Sequence, residues 1–496
     1  MQVMYKSTRG DGTLITSSQA ILKGLADDGG LYVPNQIPKL EKDLNEFAQM
    51  DYRQTAYEVL RLMLTDYTDE ELHACIDHAY DAKFDCEEIA PVKKVGNVHF
   101  LELFHGATIA FKDMALSILP HLLTTAARKN AITDDIVILT ATSGDTGKAA
   151  LAGFADVPHT KIIVFYPKGG VSRIQELQMV TQKGENTFVV GVKGNFDDAQ
   201  TGVKKMFNDS SLKQLLSENG LRFSSANSIN VGRLVPQIAY YVWAYSRLVK
   251  DQTIKAGDLI NFVVPTGNFG NILAGYYAKR MGLPVNKMIC ASNDNKVLYD
   301  FFRTGTYDRN RDFILTSSPS MDILISSNLE RLIYIITGES EENCKTFMKD
   351  LSEKGSYMIT AEEKAQLNDF FGEYATEEEN ARGIKDTYDQ FGYVTDTHTG
   401  VANCVYRKYL KETGDQTPAV IVSTASPFKF SRSVVGAIQG DSDADDFDLI
   451  RQLEELSGTD IPNAVKEIMD ATILHDTICE TNEMESVVKQ YLGLEG

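Results

Sequence analysis

No stretch of this 496-residue chain reaches the ~18 consecutive apolar residues that a bilayer-spanning helix needs. The amino terminus, MQVMYKSTRGDG, holds no apolar core of signal-peptide length. Cys75, Cys86, Cys290, Cys344, Cys404 and Cys479 are scattered, and no CxxC pair occurs among them. That excludes a disulfide framework and a paired-cysteine zinc site, and it suits reduced thiols in the cytoplasm. Positive charge is scarce: 49 Lys and Arg stand against 69 Asp and Glu, for a net charge of −20. Nucleic-acid binding needs a basic footprint, so neither nucleic acid nor an anionic membrane is expected as a partner. An anionic substrate would have to be met by locally concentrated cations or amides. Low-complexity linkers and internal repeats are also missing.

Three familiar ligand motifs fail in detail. GxGxxG is absent, which disfavours a dinucleotide. SGDTGKAA (143–150) resembles the end of a P-loop, but Thr142 replaces its first glycine and Ala149 stands where a magnesium-binding hydroxyl is required. GDSDADDF (440–447) has Asp446 at the sharp turn and Gln452 at the bidentate position of a calcium loop, so it reads as a solvated acidic loop, and no metal site is expected.

What is present reads as an α/β protein. Apolar residues make up 43% and charged residues 24%, ordinary values for a globular chain long enough for two or three domains. DIVILTA (135–141), KIIVFY (161–166), DLINFVV (258–264), KMICAS (287–292) and AVIVST (419–424) are unalternating apolar runs, each followed by Gly, Ser, Thr or Asn. Such runs are buried parallel strands, and ligands sit at their carboxyl ends. Residues 1–95 read as mostly helical and 96–430 as a two-lobed α/β core with a helical insertion at about 330–390. Residues 431–496 read as an acidic helical tail.

Three local features carry chemistry. In FHGATIAFKDMA (104–115) a single lysine, Lys112, lies among apolar residues; it either snorkels to water or is a desolvated amine of lowered pKa. Thr142, Ser143, Gly144, Asp145, Thr146 and Gly147 follow a strand and open a helix, which serves either a helix cap or a bound carboxylate or phosphate. In PTGNFGNILAG (265–275), Gly267 and Gly270 let the backbone approach a ligand, and the helix from about Asn271 offers free amides to one phosphate. Pyridoxal phosphate (PLP) would unite the three, with its aldehyde on Lys112 and its phosphate on the glycine turn.

The motifs STRG (7–10), GLADDGGLYVP (24–34), FHGATIAFKD (104–113), ATSGDTG (141–147), NSINVGR (227–233), PTGNFGNILAGYYAKRMGLP (265–284), SPSMDILISSNLER (318–331), DTHTG (396–400) and STASPFKF (423–430) occur in one order. Together they resemble the threonine synthases of the longer bacterial and fungal type, within the fold-type II PLP enzymes. The resemblance implies two parallel-sheet α/β domains and an extra, mostly helical N-terminal domain. It implies conversion of O-phospho-L-homoserine and water to L-threonine and phosphate. Lys112 would be the Schiff-base lysine, and Gly267, Asn268, Phe269, Gly270 and Asn271 would hold the cofactor phosphate. Thr424 would face the pyridine nitrogen, and Thr142, Ser143, Asp145 and Thr146 would take the substrate carboxylate. An ionised Asp145 would repel the cofactor's phenolate, so it is expected to be protonated or turned away. Ala107, Asn271 and Lys148 depart from the family's usual Pro, Asp and small residue without removing a group the mechanism needs.

For the leaving phosphate the candidates are Arg9 and Arg233, with Ser228 and Asn230 as neutral donors; the alternative for each arginine is a surface ion pair. His105 is read as filling a polar pocket. His398 stays open between orienting a proton and packing, and Lys429 between the site and solvent. A phospho-lyase of the same fold releasing 2-oxobutanoate, and a PLP-binding regulatory protein without turnover, remain alternatives. The oligomeric state stays open between monomer and homodimer.

Overall fold

A computed structural model of the chain describes residues 2–10, 12–142 and 144–494. β1 (Tyr5–Ser7) and β2 (Tyr32–Pro34) form a short antiparallel ribbon that carries the N-terminal segment across a cluster of helices. Helix Tyr52–Met63 shows why those helices form. Asp51 caps its first turn in a reciprocal box with Gln54, and Thr55, Ala56, Val59, Leu60 and Met63 make one buried stripe. The stripe packs on helix Pro236–Lys250, which is buried on nearly all sides and carries the only tryptophan, Trp243.

The remaining strands, in chain order, are β3 (Val92–Val95), β4 (Val98–Glu102), β5 (Asp135–Ala141), β6 (Thr160–Pro167), β7 (Thr187–Lys193), β8 (Leu221–Ser224) and β9 (Ile260–Pro265), then β10 (Val285–Ser292), β11 (Thr306–Asp308), β12 (Ser356–Met358), β13 (Phe370–Tyr374), β14 (Ala419–Ser423) and β15 (Ile478–Glu480). One sheet has the order β13-β10-β9-β14-β4-β3 and is parallel except for the β3–β4 hairpin. The other has the order β15-β7-β6-β5-β8 and is wholly parallel. The five apolar runs singled out in the sequence are β5, β6, β9, β10 and β14. All of them are interior strands covered on both faces, which is why they do not alternate.

Two regional expectations need correction. The segment at 330–390 is more than a helical insertion, because it supplies the edge strand β13 alongside β10. The segment 431–496 is more than a helical tail. β15 pairs with β7, and helix Met484–Leu492 buries Met484, Val488 and Leu492 in the core of the smaller sheet. Among the described residues, no helix is long and apolar enough to cross a membrane.

Candidate active site

The loop after β4 is stitched to the loop after β14. Phe111 N donates to Thr424 O at 2.7 Å, Ser426 N donates to Ile109 O at 3.0 Å, and Ala110 bridges Ala425. This backbone seam fixes Lys112 beside Thr424, which is buried at the carboxyl end of β14. The Lys112 side chain is 12% exposed, and its Nζ donates to Ser320 Oγ at 2.8 Å and to Asp145 Oδ2 at 3.4 Å. Burial pushes the amine below the ordinary lysine range. Asp145 opposes that shift, while the cations of Lys429 and Arg233 reinforce it.

Asp145 opens the helix Asp145–Phe154 and is the meeting point of the site. Its Oδ1 accepts from Gln175 Nε2 at 3.0 Å and lies 3.2 Å from Lys429 Nζ, while its Oδ2 accepts from Ser320 Oγ at 3.0 Å. Burial alone would raise its pKa, but Lys429 and Lys112 together hold it well below the carboxylate range. Of the two alternatives for Asp145, protonated or turned away, the protonated one is corrected: the cations keep the carboxylate ionised. Lys429 belongs to the site and not to solvent, since its side chain is fully buried and its Nζ also donates to Thr108 O at 2.9 Å.

The turn after β5 is built around Thr142, whose hydroxyl accepts from Gly144 N at 3.0 Å and Gly147 N at 2.9 Å. That hydroxyl caps the helix and keeps one proton to donate. Thr146 is half-buried in the first helical turn. Ser143 lies outside the described residues.

The glycine turn after β9 leads into helix Gly270–Arg280 through Phe269, a non-glycine residue at φ +63°. Left-handed backbone at a phenylalanine costs of order 1–3 kcal/mol and persists only where packing imposes it. Here the ring is buried against Phe302 and Phe370. A Cβ on Gly267 would lie 2.3 Å from Ser320 O, so no side chain fits at that position. Ser326 and Asn328 tie down the carbonyls of Gly267 and Asn268. Asn271 accepts from the hydroxyls of Tyr240 and Tyr241 through Oδ1, while its buried Nδ2 has no partner among the described residues.

The phosphate candidates separate. Arg233 is 4% exposed and donates from Nη1 to Ala226 O at 2.9 Å, and its buried Nε has no partner among the described residues. Burial lowers its pKa to about 10. Arg9 is corrected: its Nε and Nη2 donate to both oxygens of the buried Glu330 at 2.9 and 2.8 Å, which leaves no net charge for an anion. Asn230 is corrected as well: Oδ1 caps Gly232 N and Nδ2 donates to Ile21 O, so both ends of its amide are used structurally. Ser228 is half-buried and donates to Asn227 Oδ1 at 3.3 Å.

His105 lies between Asp85 and Glu102, with ring nitrogens 2.8 and 3.0 Å from their carboxylates. His398 is buried. Its Nδ1 pairs with Asp396 Oδ2 at 2.7 Å and its Nε2 accepts from Ser320 N at 3.2 Å, so the proton sits on Nδ1. Sequence reasoning assigned no role to Ser320 or Gln175. Ser320 stood inside a quoted motif, but only the folded chain brings it to Lys112, 208 positions away.

The donor set suits a phosphorylated aldehyde. A buried amine of lowered pKa, a cradle with no room for a side chain, and the unpartnered Asn271 Nδ2 at a helix N-terminus are the groups such a cofactor engages. Among the described residues no cluster of three or more His, Cys, Asp or Glu could hold a metal.

Comparison with known proteins agrees with this geometry. Family models match along the chain: "Threonine synthase N terminus" at residues 4–80, "Pyridoxal-phosphate dependent enzyme" at 85–425 and "Threonine synthase, C-terminal" at 399–478. The human protein Threonine synthase-like 1 is 40% identical over 438 residues, covering 85% of this chain; the chain spans only 58% of that relative's length. Threonine synthase of Schizosaccharomyces pombe is 36% identical, with 89% of this chain and 90% of the relative covered. The crystal structure of PLP-bound threonine synthase from Brucella melitensis superposes with a TM-score of 0.88 at 32% identity, covering 99% of both chains. This chain belongs to the threonine synthase family of pyridoxal-phosphate dependent enzymes.

Proposed function

We propose that the protein converts O-phospho-L-homoserine and water to L-threonine and phosphate. The observation that carries this reading is Arg233, a buried guanidinium that, among the described residues, has no carboxylate partner and an unsatisfied Nε. A buried charge left so is costly unless an anion completes it. A phosphate ester is the anion whose geometry a guanidinium fork matches. The fungal and bacterial relatives are named threonine synthases, which supports L-threonine as the product.

The cofactor would be held on Lys112, and its phosphate by the amides of Gly267, Asn268, Phe269, Gly270 and Asn271 and by Asn271 Nδ2. Thr424 stands ready for its ring nitrogen. When bound, pyridoxal phosphate supplies the electron sink that makes protons at Cα and Cβ of an amino acid removable. Lys112 is the base at both carbons, because burial favours its neutral amine. The Thr142 hydroxyl and the first turn of helix Asp145–Phe154, with Thr146, take the substrate carboxylate. Arg233, assisted by Ser228, receives the phosphate as the Cγ–O bond breaks. Protons return to Cγ and Cα, and water supplies the hydroxyl at Cβ. Asp145 stays ionised throughout and balances the Lys429 charge beside Lys112.

The test is product analysis with the holoenzyme and O-phospho-L-homoserine. Equal amounts of L-threonine and phosphate are expected. Release of 2-oxobutanoate and ammonia would replace the reading with a phospho-lyase, and no phosphate release would leave a binding protein.

A further inference from the structure

We propose that Ser320 is a positioning residue for the Lys112 amine: its hydroxyl, polarised by Asp145, keeps the amine donating into the protein and its lone pair directed at the ligand. The inference rests on the reading of Lys112 as the base. Ser320 Oγ is 2.8 Å from Lys112 Nζ and 3.0 Å from Asp145 Oδ2. A hydroxyl has one proton to give. An ionised carboxylate is acceptor-only, so that proton goes to Asp145 and the oxygen is left as an acceptor toward Lys112. Were the serine turned round, it would donate to the neutral amine and occupy the lone pair on which base and nucleophile chemistry depend.

The surroundings enforce the polarity. Asp145 is held anionic from its far side, where Lys429 and Gln175 contact Oδ1. The Ser320 peptide is held from behind, its N–H donating to His398 Nε2 while His398 Nδ1 is taken by Asp396. Its carbonyl abuts Gly267, where a Cβ would be 2.3 Å away, so one residue registers the lysine against the cofactor cradle. The charged groups facing Lys112 are Asp145 from helix Asp145–Phe154, Lys429 from the turn Pro427–Phe430 and Arg233 from helix Val231–Leu234. Two of the three are cations, so without the serine the one carboxylate becomes the amine's nearest acceptor, at 3.4 Å. A direct ion pair favours the ammonium form.

The test follows the pH dependence of pyridoxal phosphate capture by the apoprotein, alongside steady-state kinetics. In Ser320→Ala the capture midpoint should move up by about one pH unit, so capture at neutral pH slows about tenfold. kcat should fall while KM for O-phospho-L-homoserine stays put, and Ser320→Thr should restore both. A midpoint unmoved in Ser320→Ala, with or without a lower melting temperature, overturns the proposal, as does failure of the threonine variant to restore it. A shifted midpoint in a protein that makes no threonine would uphold the serine's role and overturn the substrate assignment, so the two claims fail separately.

Discussion

At the scale of single residues, the site is a small charge cluster whose members differ in how plainly the sequence announces them. Lys112 among Ile109, Ala110, Phe111 and Met114 reads alone as well as a lysine snorkelling to water, and becomes legible only beside the two ligand turns that share its chemistry. Lys429 and Arg9 could be told apart only in the folded chain. One is buried against Asp145 and the other is neutralised by Glu330, and both partners are distant in sequence. The sequence leaves Asp145 open between protonated and turned away because Lys429, a cation that keeps it ionised, is 284 positions away; local sequence carries no trace of that field. Arg233→Ala should raise KM for O-phospho-L-homoserine by roughly 10–150-fold, the kinetic equivalent of roughly 1.5–3 kcal/mol for a hydrogen bond to a charged group. Cofactor content, read from the absorbance of the purified protein, should not change. Lys429→Met should destabilise the fold by about 3 kcal/mol, since it strips a partner from a buried carboxylate that Lys112 still faces. Chemical denaturation of the two proteins measures that difference.

At the scale of elements, the interior strands were legible and the edges were not. β5, β6, β9, β10 and β14 announce themselves as apolar runs followed by Gly, Ser, Thr or Asn, and the turns after β5, β9 and β14 line the candidate site. β13 (FFGEY) and β15 (ICE) are short, flanked by charge, and become strands only because β10 and β7 offer them an open edge. The C-terminal helix is part of this completion. Val488 is fully buried beneath it, so Val488→Asp should cost at least about 3 kcal/mol, measured by denaturant titration, although it lies in no part of the proposed site. The glycine turn gives the complementary prediction. Gly267→Ala places a methyl against Ser320 O, so the turn must open. The dissociation constant for pyridoxal phosphate, from equilibrium dialysis, should rise at least about tenfold, and overpacking against that backbone carbonyl should cost about 1–3 kcal/mol of stability.

At the scale of the whole molecule, a chain of net charge −20 sets Lys112 and Lys429 on one carboxylate, with Arg233 close enough to act on Lys112. An acidic protein that receives an anion concentrates its positive potential where the anion goes. The same body carries a pH-dependent brace outside the site. Burial alone would lower the pKa of His105, but the carboxylates of Asp85 and Glu102 raise it from 6.5 to about 9. A folded value above the unfolded one means that its stabilisation is complete below about pH 6.5 and is lost as pH rises through about 9. It amounts to on the order of 2 kcal/mol after allowance for partial exposure. His105→Gln should flatten the fall of melting temperature between those pH values. The central claim is that these groups remove phosphate by breaking carbon–oxygen bonds and then add water at Cβ, and isotope placement tests it most directly. In ¹⁸O-water the holoenzyme should make L-threonine with one heavy oxygen, in its hydroxyl, and phosphate with none; heavy oxygen in the phosphate, with homoserine as the co-product, would contradict it.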